Sequence, residues 1–144
     1  SKSFGALDRL ALNLADHVLL VTQLDLPCLR NVVRLMMSFK EMDGLTDKVK
    51  VIVNRTGVDK SQISFKKAQE TIGREIYWQV PNDFRTMAEV RNNGVPLLEQ
   101  APKAAITHSI KQLAESLDAA DPEESAELVA GKSSGIGRWF SFGK

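Results

Sequence analysis

Three short, apolar-rich runs limit what this chain can fold into. Val18-Leu19-Leu20-Val21-Thr22, Val49-Lys50-Val51-Ile52-Val53 and Ile76-Tyr77-Trp78-Gln79-Val80 are five residues each, and helix-length segments separate them. Strands buried on both faces of a parallel sheet read as near-continuous hydrophobic runs rather than as alternating ones. Helices must then supply the connections, because a parallel pair cannot be joined by a tight turn.

The intervening segments carry the matching helical signals. Over residues 4–15, Leu7, Leu10, Ala11 and Leu14 recur at helical spacing. Asp25 stands where it can cap a helix that tolerates Pro27 in its first turn. That helix carries Leu29, Val32, Val33, Leu35, Met36 and Phe39, and Asp43-Gly44 stops it. Residues 64–72 read as a helix closed by Gly73, a residue that adopts the left-handed C-terminal position cheaply. Asp83 caps a short helix to Asn92 that Asn93-Gly94 ends, and Val95-Pro96 makes a turn. Pro102 is expected to open a longer helix to about Ala119, with Ile106, Ile110, Leu113 and Leu117 on one face.

This order predicts an α/β fold: part of a parallel, doubly wound sheet with right-handed crossovers and helices on both sides. Three strands make a thin sheet, and the first helix has no strand before it. The sheet is therefore expected to continue in sequence preceding Ser1, and the lack of an initial Met fits a processed or truncated chain. Residues 1–120 form the domain in this reading. Residues 121–144 form a flexible tail, with four acids and no bases over 121–127, then three bases and no acids over 132–144.

Composition excludes some classes. A net charge of +1 lacks the basic excess of a general nucleic-acid binder. Cys28 is the only cysteine, so an intrachain disulfide and a cysteine-rich metal site are ruled out, which fits a reducing compartment. No apolar run reaches the roughly 20 residues that cross a bilayer.

In open parallel sheets, ligands bind outside the carboxyl ends of the strands. Those ends are Thr22-Gln23-Leu24-Asp25, Asn54-Arg55-Thr56-Gly57 and Pro81-Asn82-Asp83-Phe84. Asn54 brings an amide able to read a nucleobase edge. The competing reading is that Asn54 simply ends a strand and Asp83 simply caps a helix. His17 and His108 lack metal-like partners and read as structural or surface residues. Met36, Met37 and Met42 read as packing. Cys28 sits in a helix's first turn, where a thiol pKa can drop, but no base partner is evident.

Taken in order, Ala15-Asp16-His17-Val18-Leu19-Leu20-Val21-Thr22, Val49-Lys50-Val51-Ile52-Val53-Asn54-Arg55, Val80-Pro81-Asn82-Asp83 and Asn93-Gly94-Val95-Pro96-Leu97 resemble the C-terminal half of the MinD/ParA class of deviant P-loop ATPases. Within it, Val21-Thr22-Gln23-Leu24-Asp25-Leu26-Pro27 followed by Leu29-Arg30-Asn31 is similar to the CpaE/TadZ branch, which serves localisation and assembly of Flp-type (tight adherence) pili. The resemblance implies that Asn54, Arg55, Pro81 and Asp83 bind the adenine side of a nucleotide. It also implies ATP and Mg²⁺ in an intact parent, homodimerisation, and pilus and secretion assembly proteins as partners, while the near-neutral charge leaves no specific nucleic acid expected.

The class's phosphate loop, two lysines around a glycine run, has no counterpart in these 144 residues. Gly131-Lys132-Ser133 is not its end, because Ala126 occupies the position where the loop needs its first glycine. The chain alone is therefore expected to hydrolyse no ATP and to bind nucleotide very weakly. A non-catalytic scaffold and a partition or division-site ATPase fragment stay open as alternatives. The tail's Ile136, Trp139, Phe140 and Phe142, with Arg138 and Lys144, are expected to make weak membrane or partner contact, placing the protein in the cytoplasm or at the periphery of the inner membrane.

Overall fold

In the computed structural model, the described residues are 4–58 and 61–119. The domain boundary expected at 120/121 and the tail contacts through Ile136, Trp139, Phe140 and Phe142 lie outside them. The elements run α1 (Ala6–Leu14), β1 (Val18–Thr22), α2 (Leu26–Phe39), α3 (Leu45–Lys48), β2 (Val49–Thr56), α4 (Phe65–Ile72), β3 (Ile76–Pro81), α5 (Phe84–Asn93), α6 (Leu97–Gln100) and α7 (Ala105–Asp118). The chain divides into two units, and the break falls within α7, between Ser109 and Ile110. The first unit holds the whole sheet.

The sheet has three strands in the order β1-β2-β3, both pairs parallel, as the spacing of the apolar runs predicts. Register sets which side chains share a face. Val18, Leu20 and Thr22 lie beside Val49, Val51 and Val53, and alternation puts all six on one side. On that side Val18, Leu20, Val49, Val51 and Val53 pack with Leu29, Val32, Met36 and Phe39 of α2 and with Ala68 and Ile72 of α4. Leu29, Leu45, Val51 and Val53 are fully buried, each burial worth about 1.5–3 kcal/mol. The other face is covered unevenly. Ile52 is 3% exposed, whereas Leu19 and Val21 on the edge strand β1 are 40% and 59% exposed.

Capping chemistry places the helix ends. Asp25 Oδ1 accepts from Cys28 N at 2.8 Å, with Pro27 in the first turn of α2. Ser64 Oγ accepts from Lys67 N at 3.4 Å, and Gly73, at φ 70°, closes α4. Asp83 Oδ1 accepts from Thr86 N at 3.0 Å, and Gly94 closes α5 at φ 65°.

Several boundaries differ from the sequence expectation. The first helix begins at Ala6 rather than residue 4. Gly5 N donates to Asp8 Oδ2 at 2.9 Å, and Phe4 stays outside the helix to stack on Phe39, ring centroids 5.4 Å apart. α3 and α6, four residues each, are too short to show a helical period. Pro102 does not open α7. Ala101 O accepts from Ala104 N and Thr107 Oγ1 instead, and the helix starts at Ala105. β2 does not stop at Val53 but runs to Thr56, and Pro81 belongs to β3 rather than to the loop after it.

Candidate functional site at the carboxyl ends of the strands

The extended β2 is what builds this end of the sheet. Its pairing with β3 passes from Val53↔Gln79 directly to Thr56↔Pro81, so Asn54 and Arg55 together oppose the single residue Val80. This is a β-bulge, a device that re-aims side chains and is common beside functional sites. Among the described residues, Arg55 is the non-glycine residue at positive φ, 57°. An L-residue pays roughly 1–2 kcal/mol for that conformation. Surrounding bonds hold it: Thr56 Oγ1 donates to Val80 O at 3.2 Å, and Asn82 N donates to Thr56 O at 2.9 Å. Pro81, which cannot donate, sits at the last position of β3, where no ladder bond is lost.

The bulge turns Asn54 and Arg55 toward different surroundings. Asn54 Oδ1 accepts from Arg55 N at 2.8 Å, which fixes the amide and leaves its two N–H donors and one lone pair uncommitted by that bond. The same side chain lines a groove of about 190 Å³ with Thr22, Gln23, Cys28, Asn31 and Leu35. Arg55 is exposed and borders a second groove, of about 420 Å³, with Gln23, Asp25, Leu26, Val58 and Gln62. Its Nε donates to Asn82 Oδ1 at 3.4 Å, joining the exits of β2 and β3.

Of the four residues nominated from sequence, Asn54, Arg55 and Pro81 thus stand together at the bulge and its partner strand. Asp83 is committed elsewhere, as the cap of α5. The Thr86 hydroxyl and backbone N–H hold its carboxyl below the usual carboxylate range. Asp83 therefore stays ionised at neutral pH with part of its oxygen capacity taken by the helix. Its link to the site runs through the adjacent Asn82. The sequence marks Asn82 only as part of the Pro81–Phe84 strand end and does not mark Gln62. Asn82 makes the cross-strand contact, and Gln62 bonds the backbone of the β2 exit loop. Neither is marked by spacing, because both partnerships depend on the bulge.

Cys28 is not activated by its place in the first turn of α2. Its hydrogen bond to the Asp25 carboxylate, then burial, then the Asp25 charge push its thiol pKa up from 9.0. Together these outweigh the opposing backbone hydrogen bond from Gln23. Among the described residues, no three His, Cys, Asp or Glu side chains cluster so as to hold a metal ion, and no helix is long and apolar enough to cross a membrane.

An open parallel α/β sheet with grooves at its carboxyl edge defines the class first: an open α/β fold of the kind that binds ligands outside the carboxyl ends of its strands. Solved structures narrow that to the ParA/MinD type, whose fold this chain has over part of their length. A ParA family ATPase from Chlorobium tepidum superposes with a TM-score of 0.72 at 27% identity, over 78% of this chain and 46% of that one. MinD in the MinC:MinD cell division complex of Aquifex aeolicus gives 0.66 at 22% identity, over 78% of this chain and 47% of that one. The septum site-determining protein MinD complexed with Mg-ADP, from Pyrococcus horikoshii, gives 0.59 at 22% identity, over 72% and 42%. The chain thus spans less than half the length of these structures. Neither a protein-family model nor a curated protein sequence matches it.

Proposed function

We propose that this chain forms the base side of a ParA/MinD-type ATP site, within a CpaE/TadZ-like protein that localises and assembles Flp-type pili. The observation that carries the nucleotide reading is the bulge, which holds Asn54 against a groove and brings Arg55 to within 3.4 Å of Asn82. An amide with free donors and a free lone pair can pair with the N7 and N6 edge of adenine. Pro81 adds an apolar surface beside it, and Asp83 orders the helix after it. Phosphates and Mg²⁺ need backbone amides, a lysine and oxygen ligands in one place. The described residues offer no such set, so no phosphoryl-transfer step is assigned to them.

The pilus role and its assembly partners rest on the Val21–Pro27 phrase and Leu29-Arg30-Asn31, the homodimer on the resemblance to the ParA/MinD class, and the peripheral inner-membrane contact on Ile136, Trp139, Phe140 and Phe142. A second reading, a partition or division-site ATPase part, is favoured by the solved neighbours being ParA and MinD proteins. Disrupting the gene in its host separates the two. Loss or misplacement of Flp pili with normal chromosome segregation and septum placement supports the pilus reading. Segregation or septum defects with normal pili overturn it.

A further inference from the structure

Gln62 lies outside the grouping that the strand ends define, yet its side chain holds three backbone groups of the β2 exit. Nε2 donates to Arg55 O at 2.9 Å, while Oε1 accepts from Gly57 N at 2.9 Å and from Val58 N at 3.3 Å. The amide orientation is forced, since a carbonyl cannot donate and an N–H cannot accept. Few side chains can do this. Glu cannot donate to Arg55 O, Lys cannot accept from the two N–H groups, and Asn is one methylene shorter.

The clamp is itself anchored. Ile63 N, the next residue's amide, donates to Leu24 O at 3.0 Å, and Leu24 is buried in the core. Gln62 therefore ties the β2 exit loop to a fixed point at the β1 exit. The groups it holds flank the strained position: the carbonyl belongs to Arg55, at φ 57°, and Gly57, two residues on, has φ 80°. Arg55 N is also the donor that pins Asn54 Oδ1.

We infer that Gln62 is a positioning residue for the nucleotide base. It holds Arg55 in its left-handed conformation, and through Arg55 N it fixes the Asn54 amide. This role rests on the base-binding reading of Asn54. Such a residue acts by cutting the ordering cost of binding rather than by touching the ligand.

The test uses the full 144-residue chain, ¹⁵N-labelled, in wild-type, Gln62→Ala and Gln62→Glu forms. Amide hydrogen exchange is read at Gly57 and Val58, and AMP-induced shifts are read at the Asn54 side-chain amide. In Gln62→Ala, exchange at both amides accelerates at least about tenfold, and the Asn54 shift at fixed AMP falls to about a tenth, while the circular dichroism spectrum shows the fold retained. Gln62→Glu keeps the acceptor but not the donor and falls between. Unchanged exchange, or accelerated exchange with wild-type AMP shifts, overturns the assignment. A wild-type chain with no AMP shift overturns the base-binding reading and the positioning role with it, while the exchange data still decide whether the clamp exists.

Discussion

Arg55 Nε lies 3.4 Å from Asn82 Oδ1, joining the exits of two parallel strands across 27 residues of sequence. The contact exists because two residues of β2 oppose one of β3, and that bulge puts Arg55 at φ 57°. Side chains differ in how they tolerate this conformation. Asn and Gly enter it cheaply, and β-branched residues pay most. Arg55→Asn is therefore expected to keep stability near wild type, while Arg55→Val costs about 1–2 kcal/mol relative to Arg55→Asn. Urea denaturation midpoints of the two variants check the order. Equal midpoints would mean the left-handed conformation is not held in solution.

The thiol of Cys28 should be sluggish. Its pKa stands above 9.0 chiefly because of the bond to the Asp25 carboxylate, so little thiolate exists at neutral pH. Asp25→Ser retains a side-chain oxygen to cap Cys28 N and removes the charge. The variant should alkylate faster with iodoacetamide, and its rate–pH curve should move to lower pH. A curve that does not move would place the cause of the raised pKa elsewhere.

Much of this architecture is readable from residue order, and the unread parts share a cause. Val18–Thr22 is placed to the residue because it is apolar and bounded by polar neighbours. Ser64, Gly73, Asp83 and Gly94 act as caps because their local chemistry does not depend on the rest of the fold. β2 reads three residues short because Asn54-Arg55-Thr56 is polar, and only pairing with β3 keeps it in the sheet. The same long-range pairing creates the Arg55–Asn82 contact and the strained φ, and no spacing rule reveals either. The resemblance nominates Asn54 and Arg55 by type, whereas the bulge supplies the reason they point apart.

Edge strand β1 offers a further check. Leu19 and Val21 are 40% and 59% exposed beside unpaired backbone groups, a surface that invites strand-to-strand association. Sedimentation of the 144-residue chain should show mass rising with concentration. Val21→Lys should suppress that rise and change stability by no more than about 0.5 kcal/mol, as for other exposed positions. Undiminished association in the variant would locate the contact on another surface.

The base side of the site is tested most directly at Asn54 itself. AMP is titrated into the ¹⁵N-labelled chain, and the Asn54 side-chain amide, the Arg55 amide and the amides of residues 82–84 are followed. Weak but saturable shifts confined to these groups, abolished in an Asn54→Ala variant that keeps the wild-type fold, are the predicted result. Shifts that persist in Asn54→Ala, or that fall away from the carboxyl ends of β2 and β3, would contradict it.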